Sequence, residues 1–128
     1  MSKQFDEVVD SGLGRAEFET GAVRDVQENK GRFDLMATEP LFRLAKHYEN
    51  GARKYYDRNW EKGIPLSRYI DSAFRHLVKV MEQWDDEDHE AAVIWNMFGY
   101  IQTKKWIEDG ILPASLNDMP KRTPVTKE

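Results

Sequence analysis

The sequence predicts an all-α fold, a compact helical bundle with a loop-rich N-terminal arm. Three observations carry this. Apolar residues recur at helical spacing through the middle of the chain, helix-boundary residues flank each such stretch, and no stretch shows a strand-like alternation strong enough to assign. Residues 1–37 have no clear period and hold Gly12, Gly14, Gly21 and Gly31 among charges, which predicts an extended arm packed on the domain. Residues 38–110 form the expected helical core, and residues 111–128, with Pro113, Pro120 and Pro124, read as a C-terminal tail.

Within the core, Thr38 is placed to cap a first helix over 39–56, with Pro40 in the first turn, where a missing N–H does no harm. Leu41, Leu44, Ala45, Tyr48, Ala52 and Tyr55 make its apolar stripe, and Asn50-Gly51 is a point where it could kink or end early. Residues 57–65, with Gly63 and Pro65, read as a loop. Ser67 is placed to cap a second helix reaching residue 84, whose stripe is Ile70, Ala73, Phe74, Leu77, Val80, Met81 and Trp84. A third helix, over 87–108, is apolar almost all round from Ala91 to Ile101, which predicts a central, buried position, and Gly110 supplies its left-handed cap. Only Asp85-Asp86 separates the last two helices, so they should lie antiparallel.

Composition narrows the function classes. A chain of 128 residues is one domain, and 40% apolar with 12% aromatic residues excludes disorder of its middle. No apolar run is long enough to span a membrane, and no secretory leader pattern opens the chain. The absence of cysteine rules out disulfides, thiolate zinc sites and cysteine nucleophiles, and fits a cytoplasmic location. A formal charge of −4 speaks against duplex nucleic acid as a partner. The charge is uneven: residues 24–62 are rich in Arg and Lys, while residues 82–90 hold six acids.

Pairing the last two helices about their turn sets Glu82 near His89, and Arg75 and His76 near Asn96. His89 and Asn96 are seven apart, on one face, with the small Ala92 between them leaving room for an ion, a water or a ligand atom. Asn96 interrupts an apolar run and needs an internal partner, for which His76 is the natural candidate. Glu82, Asp85, Asp86, Glu87, Asp88 and Glu90 crowd the turn, where they raise each other's pKa unless a cation such as Mg²⁺ or Mn²⁺ sits among them. The same acids also suit a solvated helix start. Arg24, Lys30, Arg32, Arg53, Lys54 and Arg58 could clamp phosphates or simply form a solvated basic face, and Trp60, in a loop, could stack on a base. There is neither a phosphate-binding P-loop sequence nor a Gly-x-Ser-x-Gly nucleophile motif.

Several segments in order are familiar: Glu17-Phe18-Glu19-Thr20-Gly21-Ala22-Val23-Arg24-Asp25, Lys30-Gly31-Arg32-Phe33-Asp34-Leu35, Gly51-Ala52-Arg53-Lys54-Tyr55, Asp57-Arg58-Asn59-Trp60-Glu61-Lys62-Gly63-Ile64-Pro65, Arg75-His76-Leu77, Glu87-Asp88-His89 and Trp95-Asn96. Over residues 10–115 the chain resembles the phage and bacterial dATP/dGTP diphosphohydrolases, the MazZ-type relatives of the MazG pyrophosphohydrolases. The resemblance implies a helical bundle of the all-α NTP pyrophosphohydrolase type, dependence on Mg²⁺ or Mn²⁺, and attack by water at the α-phosphate of a purine deoxynucleoside triphosphate. It also implies a role in remodelling the purine pool, in the host cytoplasm where the chain is phage-encoded.

The matched motifs bring Glu39, His76, Glu87, Asp88, His89 and Asn96 to the site. The Glu-x-x-Glu and Glu-x-x-Asp pair of the wider MazG pattern is not reproduced: Glu82-x-x-Asp85 and Glu87-x-x-Glu90 stand too close together and in reversed order. The resulting expectation is that Glu39, Glu87, Asp88 and His89 hold metal and that Glu87, Asp88 and His76 serve catalysis, with Glu82 and Glu49 in reserve. Arg32, Lys54 and Arg75 would clamp phosphates, and Asn59, Trp60 and Asn96 would contact sugar or base. The small bundle with its apolar third helix further predicts a homodimer or homotetramer. Two rivals are a metal phosphohydrolase of the HD type, releasing triphosphate or phosphate, and a helical binding protein without activity.

Overall fold

A computed structural model describes residues 4–125, so the expectations for residues 1–3 of the arm and 126–128 of the tail lie outside the described residues. The chain divides into two units, residues 1–36 and residues 37–128.

The first unit departs from a strandless arm. Strands β1 (Arg15–Glu17) and β2 (Val23–Asp25) pair antiparallel, with Ala16 opposite Arg24. The Phe18 N–H donates to the Ala22 carbonyl at 2.9 Å and the Gly21 N–H to the Phe18 carbonyl at 2.8 Å, closing the hairpin; the Ser11 N–H donates to Asp25 Oδ2 at 2.8 Å. The strands are three residues each and bury almost nothing, so no alternation of apolar residues marks them.

The second unit holds helices α1 (Glu39–Tyr55), α2 (Leu66–Met81) and α3 (His89–Glu108), as the all-α expectation requires. Short 3-10 turns at Asn59–Lys62 and Ala114–Leu116 complete it. α3 packs against both α2 and α1. His76 meets His89 while Tyr69 meets Gly99, so position falls on one helix as it rises on the other and the pair is antiparallel. No helix among the described residues is long and apolar enough to cross a membrane.

The seam between α2 and α3 is not the one the apolar pattern predicts. α3 turns inward His89, Ala92, Asn96, Gly99 and Thr103, which alternate three and four apart like a coiled-coil seam, and α2 answers with Leu66, Tyr69, Ala73 and His76. These α3 residues are small or polar, which lets the backbones approach. A Cβ on Gly99 would stand 2.4 Å from Cε1 of the fully buried Tyr69 ring. Large apolar residues expected in the core stay outside: Phe74 is 66% exposed, Met81 71% and Ile101 63%, and Leu77, Trp84 and Phe98 are exposed too. α3 is thus central without being buried all round.

The helix ends differ from expectation in instructive ways. α1 runs through Asn50-Gly51 without a break. Thr38 precedes α1 but makes no side-chain cap; its carbonyl accepts the Phe42 N–H at 3.1 Å. Ser67 lies inside α2, and the cap comes instead from the tail: the Ser67 N–H donates to Asp118 Oδ1 at 2.9 Å and its hydroxyl to Oδ2. Those bonds hold the Asp118 carboxyl below its ordinary value. α2 stops at Met81, with Gln83 in the left-handed region at φ 59, so the link to α3 is residues 82–88 rather than two acids. Gly110, at φ 74, ends α3 as expected.

Candidate active site

α1, α2 and the start of α3 enclose a cavity of about 440 Å³. On α1, Arg43, His47 and Lys54 reach it because their spacings of four and seven return to one helix face. α2 contributes His76, the link contributes Glu87 and Asp88, and α3 contributes Trp95 and Asn96.

At its edge two imidazoles meet. His76 Nδ1 lies 2.9 Å from His89 Nδ1, and His89 Nε2 lies 2.7 Å from Asp86 Oδ1. An ionised carboxylate only accepts, so the His89 proton sits on Nε2 and donates to Asp86. Neutral His89 then offers the lone pair of Nδ1, which accepts from His76 Nδ1–H. His89 is 3% exposed, and its ring is edge-on to Trp84 at 6.4 Å. Burial pushes the His76 pKa down while the nearby Glu87 opposes it, and the hydrogen bond from His89 holds Asp86 below its usual range.

Glu87 Oε1 stands 3.5 Å from His76 Nδ1 and 3.7 Å from His89 Nδ1. The two nitrogens and this oxygen lie within 4.8 Å of one another, a donor set able to hold a cation. Two ligands bonded at about 2.1 Å and set at right angles stand roughly 3 Å apart, close to the 2.9 Å separation of the two Nδ1 atoms. The Asp86 contact is the carboxylate–histidine arrangement that commonly orients a metal-binding imidazole. Two imidazoles with a carboxylate suit a first-row transition ion better than Mg²⁺, which prefers oxygen alone.

Asp88 is differently employed. Arg43 Nε donates to Asp88 Oδ2 at 2.9 Å, Arg43 Nη2 donates to Oδ1, and Oδ1 also accepts the Ala91 N–H at 3.1 Å. Arg43 holds the Asp88 pKa down, and the pair ties α1 to the first turn of α3. Lys46 and Arg53 share Glu49, whereas Lys54 makes no salt bridge among the described residues and rests 5.1 Å from the Tyr55 ring centroid. Lys54 therefore brings to the cavity a cation that no carboxylate pairs with directly among the described residues.

Of the residues singled out in the sequence, His76, Glu87, Asp88, Lys54 and Asn96 line this cavity, and His89 adjoins it through His76. Asn96 does not pair with His76; its amide donates at 2.8 Å to the Ala92 carbonyl on its own helix. His89 finds His76 across the seam rather than Glu82. Asn59 and Trp60 line a second cavity of about 270 Å³, and Trp60 stacks on Trp106 at 5.4 Å. Glu39 lies exposed on the first turn of α1 and lines none of these cavities. Arg75 pairs with Asp71 along the outer face of α2, and in the first unit Arg32 pairs with Asp34 at 2.8 Å.

Sequence reasoning passed over Arg43 and His47, and placed Asp86 only among the acids crowding the turn. Arg43 and His47 are four apart in a helix already assigned, and Asp86 stands three before His89, so spacing alone could have joined each to the site.

A family model described as dATP/dGTP diphosphohydrolase, N-terminal, matches residues 20–109, which takes in all three helices of the cavity. No curated protein and no solved structure matches the chain.

Proposed function

Because the chain belongs to the dATP/dGTP diphosphohydrolase family, we propose that it is a metal-dependent nucleotide pyrophosphohydrolase that converts a purine deoxynucleoside triphosphate to the monophosphate and pyrophosphate. The observation that carries this reading is the His76–Glu87–His89 donor set at the edge of a cavity that also holds the unpaired cation of Lys54.

In this reading His76, His89 and Glu87 hold the cation, and Asp86 keeps His89 in the tautomer that offers Nδ1. A divalent cation, when bound, offsets phosphate charge and activates water. Lys54 grips the phosphates by charge-assisted hydrogen bonds. His47 lies on the same wall, and burial lowers its pKa, so it is neutral and able to take the proton as water attacks the α-phosphorus. The bond from the α-phosphorus to the bridging oxygen breaks and pyrophosphate leaves. Asp88 serves as a positioning residue through Arg43 and the first turn of α3. Asn59 and Trp60 contact the base from the second cavity.

The exposed apolar residues of α2 and α3, Phe74, Leu77, Val78, Met81 and Ile101 among them, support assembly into a homodimer or homotetramer. The deciding experiment incubates the protein with each dNTP and NTP in Mn²⁺ or Mg²⁺ and identifies the products by phosphorus NMR. Pyrophosphate from dATP or dGTP, faster with Mn²⁺, is the expected result. Triphosphate or phosphate would instead favour the HD-type reading, and metal-independent binding without turnover a binding protein.

A further inference from the structure

The second cavity is walled by aromatic side chains, Tyr48, Tyr55, Tyr56, Trp60 and Trp95. It shares Gly51, Tyr55 and Trp95 with the cavity that holds Lys54 and His76, so the two are neighbours along one wall. The second, at about 270 Å³, is small for a ligand pocket on its own, for which roughly 300–1,000 Å³ is usual, and the first, at about 440 Å³, lies near the lower end of that range. Their linings divide the chemistry of a nucleotide: Lys54 and metal donors on one side, and on the other mostly flat aromatic faces, with Asn59 and with Arg58, which pairs with Glu61.

Gly51 is the anomaly at the boundary. It sits inside α1 with four residues of helix still to follow, where glycine is among the poorest helix formers. Its conformation is ordinary, since it is not among the residues of positive φ. Nothing packs so tightly that a side chain is excluded: a Cβ there would meet no atom within 4 Å, although the position is half-buried. Neither backbone geometry nor packing requires a glycine. What the missing side chain does leave is open space on the wall common to both cavities.

We propose that Gly51 is the threshold between a phosphate subsite and an aromatic nucleobase subsite, and that its bare backbone lets one nucleotide occupy both. This rests on the nucleotide reading above, which sets the base against Asn59 and Trp60, and adds to it the residue that controls entry to that subsite. A side chain at 51 would separate the subsites while leaving each intact.

The test compares binding of dATP and of inorganic tripolyphosphate, both with Mn²⁺, to the wild-type full chain and to Gly51→Ala and Gly51→Leu. Gly51→Ala fills open space in a helix, so its melting temperature should rise, which shows that the fold tolerates the position. Gly51→Leu should weaken dATP binding tenfold or more while tripolyphosphate binding changes less than twofold, with Gly51→Ala intermediate for dATP. Unchanged dATP binding in Gly51→Leu, or equal loss of both ligands, overturns the threshold. Wild-type protein that binds neither ligand overturns the nucleotide reading itself, a separate and recognisable result.

Discussion

His76 and His89 stand on different helices, thirteen residues apart in sequence, and meet Nδ1 to Nδ1 at 2.9 Å. Two imidazole nitrogens at that distance share one proton, and a cation that takes its place gains two ligands already set at the right separation. The orientation depends on Asp86, which fixes the proton of His89 on Nε2. Asp86→Asn should keep the helical circular dichroism spectrum, since Asp86 lies in the exposed link. Partners of this kind typically alter metal affinity 10–100-fold, so Mn²⁺ affinity measured by titration calorimetry should fall by about tenfold or more. Wild-type affinity in that variant would detach Asp86 from the site.

Alongside His76, whose pKa burial also lowers, the pH dependence follows from His47. Burial lowers its folded-state pKa below the ordinary value of 6.5, against the opposing pull of Glu87 and Asp88. The unfolded chain therefore binds more protons than the folded one between the folded pKa and 6.5, and stability rises with pH across that window. The contribution is complete above 6.5 and is lost as pH falls through the folded value. Metal-free protein should melt at a lower temperature at pH 5.5 than at pH 7.5, and His47→Gln should reduce the difference. An unchanged difference in that variant would assign the effect elsewhere.

How far the sequence discloses this molecule depends on what each residue answers to. The bounds of helix α1 were legible from local signals such as Pro40 in its first turn, although Thr38 makes no side-chain cap and Leu41, Ala45 and Tyr55 of its stripe stay exposed; Asp88 and Gly110 are local signals for the two ends of α3. The seam was not legible. Hydropathy points to Phe74, Met81 and Ile101, but close backbone approach selects Gly99, Ala92 and Thr103, and that selection is decided between helices. Ser67 looked like a cap because its type suits one; the carboxylate that does the work, Asp118, arrives from the tail and leaves no mark near residue 67. In the site, His76, Glu87 and His89 were grouped with Glu39 and Asp88, and only the packed pair of helices picks out the three whose ligand atoms come together.

Asp88 offers a way to separate holding a cation from holding a helix. Its side chain caps α3 through the Ala91 N–H and pairs with Arg43, both partners being more than a third exposed. An exposed pair contributes only ~0–1 kcal/mol, whereas loss of an N-cap costs about 1 kcal/mol. Asp88→Asn keeps an oxygen for the cap and should lose a few tenths to about 1 kcal/mol; Asp88→Ala should lose about 1–2 kcal/mol in urea denaturation. As a positioning residue, Asp88 can become Asn with Mn²⁺ affinity reduced less than fivefold. Complete loss of Mn²⁺ binding in Asp88→Asn would make it a ligand instead.

Gly99→Ala sets helix propensity against packing. Alanine improves a helix interior by ~1 kcal/mol over glycine. Here, however, the new Cβ would stand 2.4 Å from Tyr69 Cε1 and 2.7 Å from Cζ, contacts with a ring 1% exposed rather than with a flexible tip. Overpacking of that kind costs typically 1–3 kcal/mol, which less the propensity gain leaves the variant less stable by up to ~2 kcal/mol. Removing the obstacle reverses the sign. In Tyr69→Leu the added methyl has room, and Gly99→Ala in that background should be neutral or stabilising, a coupling read directly from the double-mutant cycle. Tyr69→Phe keeps the ring and should not rescue. It should itself be tolerated, because Tyr69 Oη and Thr103 Oγ1 are both buried without a hydrogen-bond partner of good geometry. Additive losses in the Gly99→Ala/Tyr69→Leu pair would mean that α2 and α3 do not approach each other at this point, and the close seam that brings His76 to His89 would lose its support.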